Sequence, residues 1–166
     1  WGWREDERFM MLSSFKLLAS ALVLYRVDQG LDSLQRRITY PQSALLPWSP
    51  VTEKHADGAG MTLGELCAAT ITTSDNAAAN LILQSYGGPA ALTAYLRQLG
   101  DTVTRLDRNE PTVNHPSELG LLDTTSPRAM TASMQTLLIG NALSPASRQQ
   151  LRAWLLANTT GGKRLK

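Results

Sequence analysis

The segment S-S-F-K, residues 13–16, combines a hydroxyl and an amine at a spacing that could support nucleophilic catalysis. Three residues apart on a helix, Ser13 and Lys16 would lie on one face, close enough to hydrogen-bond. If burial and neighbouring charge lowered its pKa, the lysine could accept the serine proton and so activate the serine as a nucleophile. Taken alone, the same spacing is also typical of a helix start, with Ser13 as the cap and Lys16 facing solvent.

Two further groups of residues have side chains suited to proton transfer. Ser74-Asp75-Asn76, at the junction of two predicted helices, offers a hydroxyl that can pass on a proton and an amide that can donate and accept. Glu110, followed by Asn114, offers a carboxylate that could act as a general base and an amide that could help to hold a water. Each group also has a simpler interpretation, since Ser, Asp and Asn are common helix caps and glutamate is usually exposed.

The composition is that of a globular chain about one domain in size. The 166 residues are 43% hydrophobic and 18% charged, which argues against disorder. The basic residues are scattered and lack the interleaved aromatic residues of a nucleic-acid surface, so nucleic-acid binding is not expected. The longest apolar run, residues 17–25, is too short to span a membrane. Because Cys67 is the single cysteine, an internal disulfide is excluded.

Helices separated by turn signals are predicted along most of the chain, with little strand-like alternation. The first, from about residue 13 to 28, is apolar almost all round, which indicates a helix enclosed by others. Thr62 and Glu65 form a T-x-x-E capping box that begins a second helix. Further helices are predicted from residue 76 to 86, from Pro89 to near Gly100, after Ser126-Pro127 and after Ser144-Pro145. The sequence therefore predicts a mostly α fold, with residues 1–166 forming a single region.

Residues 105–123 do not fit a helical interpretation, because the segment has no helical period and contains two prolines. A loop of this length inside a compact domain tends to be functional or disordered, and we expect a catalytic loop. Arg108 and Asp123 lie near its two ends, where an ion pair would join those ends and place Glu110 against Ser13. The alternative is that the two charges are independent and exposed.

In this order, the S-x-x-K, S-D-N and E-P-x-x-N motifs resemble the class A serine β-lactamases. The similarity extends over essentially the whole chain. It includes the segments WSPVTEKH (48–55), MTLGELCAATITTSDNAAANLIL (61–83), RLDRNEP (105–111), DTTSPRAM (123–130) and WLLANTTG (154–161). The resemblance implies the helical domain of the α/β fold shared by β-lactamases and transpeptidases, with most of the antiparallel sheet missing from these residues.

The resemblance also implies roles for the matching residues. Ser13 would attack the lactam carbonyl to form an acyl-enzyme, and Lys16 would be the proton acceptor or relay. Whether Lys16 or Glu110 acting through a water is the base of this step stays open. Ser74 would pass a proton to the departing ring nitrogen, while Asn76 would bind the side-chain amide of the substrate and contact Lys16.

Hydrolysis of the acyl-enzyme would depend on the catalytic loop. Glu110, assisted by Asn114, would activate the attacking water, and Arg108 with Asp123 would form the clamp that the family uses to hold this loop. Trp48 matches the aromatic residue that the family places at the lip of the cleft, although an ordinary exposed tryptophan is the alternative.

The protein implied by the resemblance is a monomeric hydrolase that acts on a small-molecule β-lactam and confers antibiotic resistance. We expect no metal, no cofactor, no nucleic-acid partner and no membrane insertion. A periplasmic or secreted location is implied by the resemblance alone, since the sequence shows no leader.

Some positions depart from the family pattern. Leu12 and Ser20 occupy positions where some members have disulfide-forming cysteines, so Cys67 is expected to be a buried free thiol. Asn109 and residues 115–122 differ from the commonest pattern, which leaves the shape of the catalytic loop and the range of substrates open.

The third motif of the family, K-T-G on a strand, does not occur in these residues. The oxyanion hole would keep the backbone N–H of Ser13 but lose the second donor, which the family takes from that strand. One lost donor costs about 10²–10³ in rate. We therefore expect this 166-residue polypeptide, made alone, to hydrolyse β-lactams weakly or not at all.

Two other kinds of function stay open from the sequence. A penicillin-binding transpeptidase or a β-lactam sensor domain shares S-x-x-K and an S-x-N motif and would be acylated without turnover, although the loop from Glu110 to Asn114 argues against it. A non-catalytic helical interaction domain would form no covalent adduct with a penicillin.

Overall fold

The computed structural model of the chain describes residues 2–118 and 120–162, and within those ranges it contains six α-helices. They are α1 (Phe15–Asp28), α2 (Leu63–Thr72), α3 (Asn76–Ser85), α4 (Pro89–Gln98), α5 (Pro127–Leu138) and α6 (Pro145–Leu156). The strands in this part of the chain are only two residues long. Strand β1 (Phe9–Met10) pairs antiparallel with β4 (Thr124–Thr125), and β2 (Arg37–Ile38) pairs antiparallel with β3 (Met61–Thr62). The mostly α prediction is confirmed.

Helix α1 lies at the centre of the fold, as its nearly continuous apolar sequence predicts. Its residues Phe15, Leu18 and Leu24 are at most 1% exposed. It packs against α2, α3, α4 and α6. Because neighbouring helices hold α1 on several sides, a side chain in its first turn is carried on a rigid support.

The capping signals in the sequence act as predicted. The Thr62 hydroxyl accepts a hydrogen bond from the Glu65 N–H (3.2 Å), and the Glu65 carboxylate accepts one from the Thr62 N–H (2.7 Å). The side chains of Ser126 and Ser144 cap α5 and α6 by accepting from the N–H groups of Ala129 and Ser147, and each is followed by proline in the first turn. These short-range contacts determine where the helices begin.

Helix α1 begins two residues later than predicted. Ser13 lies in a 3₁₀ turn (Leu12–Ser14) and does not cap the helix. The hydroxyl of Ser14 instead donates to the Met11 carbonyl (2.7 Å), which closes that turn. The side chain of Ser13 is therefore exposed ahead of the helix rather than used within it.

Residues 105–123 form a loop whose one regular element among the described residues is a 3₁₀ turn (Thr112–Asn114). The start of the loop is attached to β4, because the Arg105 N–H donates to the Thr124 carbonyl (3.0 Å). Its end is attached to Met11, the residue before the 3₁₀ turn at Leu12–Ser14, because the Met11 N–H donates to the Asp123 carbonyl (2.9 Å). Both ends of the loop are thus fastened to the strand pair that leads into Ser13.

Cys67 on α2 is a fully buried free thiol, as predicted. Burial raises its pKa to about 12, so the thiol stays protonated at neutral pH. Across residues 2–118 and 120–162, no helix combines the length and the apolar character needed to cross a membrane.

Candidate active site

Ser13 lies on the wall of a cavity of about 280 Å³. Its hydroxyl accepts a hydrogen bond from the Ser74 hydroxyl at 3.2 Å. Among the described residues Lys16 makes no direct hydrogen bond to Ser13, and its amine instead donates to the Ser74 hydroxyl at 3.0 Å. The sequence expectation of a direct contact is replaced by a chain from Lys16 through Ser74 to Ser13, because several oxygen atoms draw the amine towards the turn before α3.

Lys16 is buried on α1, with 3% of its surface exposed, and oxygen atoms surround its amine. Nζ donates to the carbonyl of Ser74 (2.9 Å) and to Oδ1 of Asn76 (2.7 Å), in addition to the Ser74 hydroxyl. It also lies 3.2 Å from Oε1 of Glu110. Burial lowers the pKa of Lys16, and the Glu110 carboxylate partly opposes this by favouring the charged form. The solvent-facing interpretation of this lysine is therefore wrong.

The turn between α2 and α3 is organised by Asp75, which is fully buried and caps α3. Its carboxylate accepts a hydrogen bond from the Ala78 N–H (2.9 Å). It also accepts from the N–H groups of Val51 and Thr52, both at 3.0 Å. Because Asp75 takes the capping role, the Ser74 side chain is free to act elsewhere.

Asn76, the first residue of α3, connects the turn to the segment that contains Pro47 and Trp48. Its Oδ1 accepts from Lys16, while its Nδ2 donates to the Pro47 carbonyl at 2.8 Å. An amide has two N–H groups, so the second stays able to meet a ligand. The backbone N–H of Asn76 donates to the Trp48 carbonyl at 3.0 Å.

Trp48 is 65% exposed and is held by its indole N–H, which donates to the Thr73 carbonyl at 2.9 Å. Its backbone φ of 64° is left-handed, which is uncommon for a residue other than glycine. It lines a second cavity, of about 530 Å³, together with Thr73 and residues 159–162. The ring is therefore held next to Thr73, with most of its surface exposed to solvent.

The side chain of Glu110, in the loop at residues 105–123, is completely buried. Its Oε2 accepts a hydrogen bond from Nδ2 of Asn114 at 2.6 Å. Its Oε1 lies 3.2 Å from Nζ of Lys16 and makes no well-aligned hydrogen bond with any described residue. The interpretation of Glu110 as an ordinary exposed glutamate is wrong. Glu110 contacts Lys16 directly and is connected to Ser13 through it.

Asn80 on α3 is a residue of the candidate site that the sequence analysis missed. Its Oδ1 accepts from the Glu110 N–H (2.9 Å), and its Nδ2 donates to the Glu110 carbonyl (2.8 Å). The side-chain amide of Asn80 thus makes two hydrogen bonds with the backbone of Glu110, the residue that carries the buried carboxylate. Its one signal in the sequence is the spacing of four from Asn76, which places both amides on one face of α3.

Arg108 and Asp123 form an ion pair across the loop. Nε of Arg108 donates to Oδ2 of the fully buried Asp123 at 2.5 Å. Oδ1 of Asp123 accepts from the N–H groups of Asp107 (2.8 Å) and Arg108 (2.9 Å). Nη2 of Arg108 donates to the His115 carbonyl at 2.7 Å, so the same guanidinium also holds the middle of the loop.

The arrangement supplies the components of a nucleophilic site. An exposed serine hydroxyl is linked through a second hydroxyl to a buried amine, and that amine contacts a buried carboxylate with an amide partner. Within the described part of the chain, no group of three or more His, Cys, Asp or Glu side chains is arranged to hold a metal ion.

Known proteins share both the sequence pattern and the fold of this chain. The model of a family described as the β-lactamase enzyme family matches residues 1–166. The class A β-lactamase of the last common ancestor of Gram-negative bacteria is 61% identical, with a TM-score of 0.96 over 99% of this chain and 62% of that chain. PenP from Rhodopseudomonas palustris, assigned to class A, is 57% identical, with a TM-score of 0.94 over 98% of this chain and 62% of that chain.

An ancestral class A β-lactamase gives the same result, with 62% identity and a TM-score of 0.95 over 98% of this chain and 62% of that one. The present chain therefore spans about 62% of the length of these solved structures. Its helices and short strand pairs correspond to the helical domain of their fold, without most of the sheet, as the sequence analysis expects.

Proposed function

This chain belongs to the β-lactamase enzyme family, and we propose that the protein is a class A serine β-lactamase that opens β-lactam rings through an acyl-enzyme on Ser13. The observation that carries the proposal is the hydrogen-bonded chain from Lys16 through Ser74 to Ser13. The proposal includes the biological role expected from the sequence: a monomeric, periplasmic or secreted enzyme that confers resistance to β-lactam antibiotics.

In the acylation step, Oγ of Ser13 bonds to the lactam carbonyl carbon as its proton leaves for a base. Neutral Lys16 can receive that proton through the Ser74 hydroxyl, and Glu110 is a second candidate acting through a water. The lowered pKa of Lys16 supports the first route, because burial makes the neutral amine easier to populate. The backbone N–H of Ser13 stabilises the oxyanion, and the lactam C–N bond breaks as Ser74 protonates the ring nitrogen.

In the deacylation step, Glu110 removes a proton from a water that Asn114 helps to hold. The water oxygen bonds to the ester carbonyl carbon, the bond to Oγ of Ser13 breaks, and a proton returns to the serine. The burial of Glu110 and its 2.6 Å contact with Asn114 support this role, because a general base must be held in a defined position. A penicillin-binding transpeptidase or a sensor domain has no need of this second arrangement.

Substrate positioning falls to residues on the rim of the site. The free N–H of the Asn76 amide would bind the side-chain amide of the substrate, and the exposed ring of Trp48 would pack against the substrate at the lip. Arg108 and Asp123 act indirectly, by holding the loop that carries Glu110.

The test is a time course of intact mass after mixing the protein with a penicillin, beside Ser13→Ala and Glu110→Gln variants. The proposal expects an adduct on the wild type that appears and clears, no adduct on Ser13→Ala, and a long-lived adduct on Glu110→Gln. A wild-type adduct that persists would assign the protein to the transpeptidase or sensor class. Complete absence of an adduct would point to a non-catalytic domain and overturn the proposal.

The weak turnover expected of the 166-residue polypeptide made alone is a separate prediction. The same time course on that polypeptide tests it, with hydrolysis of the penicillin followed by absorbance. Turnover at a rate comparable to the class A relatives would contradict the argument from the missing oxyanion donor.

A further inference from the structure

The C-terminal end of α2 is held by donors from distant parts of the chain. The last carbonyl groups of an α-helix have no partner inside the helix. Here the four successive carbonyls of residues 71–74 each accept a hydrogen bond from outside α2. The donors, in that order, are Nδ2 of Asn158 (2.7 Å), the N–H and hydroxyl of Thr159 (2.9 and 2.8 Å), the indole N–H of Trp48 (2.9 Å) and Nζ of Lys16 (2.9 Å).

These contacts surround a residue in an unfavourable conformation. Ser74 has a φ of 59°, in the left-handed region that residues other than glycine rarely adopt. Such a residue keeps its conformation only where the surrounding structure over-determines it. Asp75 constrains the chain after Ser74, and the donors to the carbonyls of residues 71–73 constrain the chain before it.

The orientation of the Asn158 amide is itself determined. Its Oδ1 accepts hydrogen bonds from the N–H (2.8 Å) and the hydroxyl (3.0 Å) of Thr160. The amide nitrogen must therefore face the carbonyl of Ile71. Asn158 and Thr159 follow α6 after one residue, Ala157, and α6 packs against both α1 and α2, so this segment is anchored to the same helices that carry the site.

We propose that Asn158 and Thr159 are positioning residues for Ser74, holding the end of α2 so that the Ser74 hydroxyl bridges Lys16 and Ser13. This inference rests on the proposed function, in which that bridge carries protons during acylation. Asn158 lines the same cavity as Ser13, but neither Asn158 nor Thr159 hydrogen-bonds to Ser13, Lys16 or Ser74. Their effect is to keep Ser74 within 3.0 Å of Lys16 and 3.2 Å of Ser13.

The decisive variant is Asn158→Asp, which keeps the size and the acceptor for Thr160 but replaces the amide donor with a carboxylate. We expect acylation of Ser13 by a penicillin to slow by about 10- to 100-fold, since small displacements at a reacting group have effects of this size. Deacylation should stay within about twofold of the wild type, because Asn80 and Asn114 hold Glu110 independently of α2. An equal loss in both steps, or no loss in acylation, would overturn the proposal.

The pH dependence of this variant gives a second readout. The introduced carboxyl faces the carbonyl of Ile71, an acceptor, which disfavours the charged form, whereas the two Thr160 donors to its other oxygen favour that form. Protonation restores an O–H donor to that carbonyl. The ratio of the acylation rate of Asn158→Asp to that of the wild type should therefore rise as pH falls, and a ratio independent of pH would contradict the donor role.

Ser147→Ala is the matched control for a merely structural effect. The Ser147 hydroxyl donates to Oδ1 of Asp28 (2.7 Å) at the opposite end of α6, so its loss weakens α6 without touching the end of α2. We expect lower thermal stability and an unchanged acylation rate. A slowing as large as that of Asn158→Asp would show that any weakening of α6 suffices, which would overturn the inference.

Failure of the proposed function would be visible separately, as a wild type that forms no adduct. Crystal structures of the wild type and Asn158→Asp would then decide the positioning inference without any need for activity. A Ser74 φ that leaves the left-handed region, or a Ser74–Ser13 separation beyond hydrogen-bond distance, would support it. An unmoved Ser74 would overturn it.

Discussion

Two regions meet at Lys16, and they are held in different ways. The turn at residues 73–76 is short, and the carbonyls of Thr73 and Ser74 and the N–H of Asn76 each have a partner from a distant part of the chain. The loop at residues 105–123 is much longer. Backbone hydrogen bonds fasten its two ends and Thr93 pairs with Leu106, while its middle is held by the ion pair of Arg108 and Asp123 and by the amide of Asn80.

The two regions differ in how many independent contacts hold each stretch of backbone. Where several donors hold one short turn, the loss of any one of them leaves the others in place, so the turn stays folded although the Ser74 hydroxyl is displaced. Where a long loop depends on a few contacts, each contact determines the position of many residues. We therefore expect single substitutions in the loop supports to have larger effects on stability than comparable substitutions around the turn.

The largest expected effect is that of Arg108→Ala. It leaves the buried Asp123 carboxylate without its cation, and breaking such a pair costs about 3–5 kcal/mol. Deacylation should slow more than acylation, because the loop carries Glu110. Chemical denaturation and the time course of the adduct measure the two effects.

Arg105→Ala is the matched comparison, since Arg105 pairs with Asp107 in the same loop but its side chain is 40% exposed. An exposed pair contributes about 0–1 kcal/mol. If the two arginine variants lost the same free energy of unfolding, the ion pair of Arg108 and Asp123 would not be what holds the loop.

Asn80→Ala should come next in size. It removes both hydrogen bonds to the backbone of Glu110 and leaves a buried N–H and carbonyl without partners, for a loss of about 2–3 kcal/mol. The adduct with a penicillin should persist while its formation changes little. Asn80→Asp keeps the acceptor for the Glu110 N–H and should lose less stability. A fully active Asn80→Ala protein would argue that the rest of the loop suffices to place Glu110.

Glu110→Gln tests the electrostatic link between the two regions. Burial lowers the pKa of Lys16, and the Glu110 carboxylate opposes that shift. Removal of the negative charge leaves burial less opposed, so the pKa of Lys16 should fall further and the neutral amine should become more populated at a given pH. Titration of the ¹³Cε resonance of Lys16 measures this change. A pKa that rises or stays the same would show that the two groups are not coupled.

The smallest expected effect is that of Thr159→Ala at the turn. The hydroxyl of Thr159 is one of two donors to the Thr72 carbonyl, and the backbone N–H of the same residue stays in place. We expect a loss of about 0.5–1 kcal/mol and a change in acylation of only a few-fold. A loss of stability as large as that of Asn80→Ala would contradict the expectation that the turn depends less than the loop on any single contact.

The sequence determined the elements and many of the groups that the site brings together. The capping box of Thr62 and Glu65, the capping serines of α5 and α6, the enclosed α1 and the irregular segment 105–123 are all present where the pattern predicts them. These features depend on neighbours within about one helical turn, and such neighbours can be identified from spacing alone.

Tertiary structure alone decided how those elements meet. The amine of Lys16 bonds to Ser74 and Asn76 rather than to Ser13, Asn80 holds Glu110 from 30 residues away, and Asn158 reaches Ile71 across 87 residues. No local period encodes such distances, because they depend on which helix faces pack together around α1. Side-chain chemistry can therefore be recognised along the chain, whereas the partner that orients each group is determined only by packing.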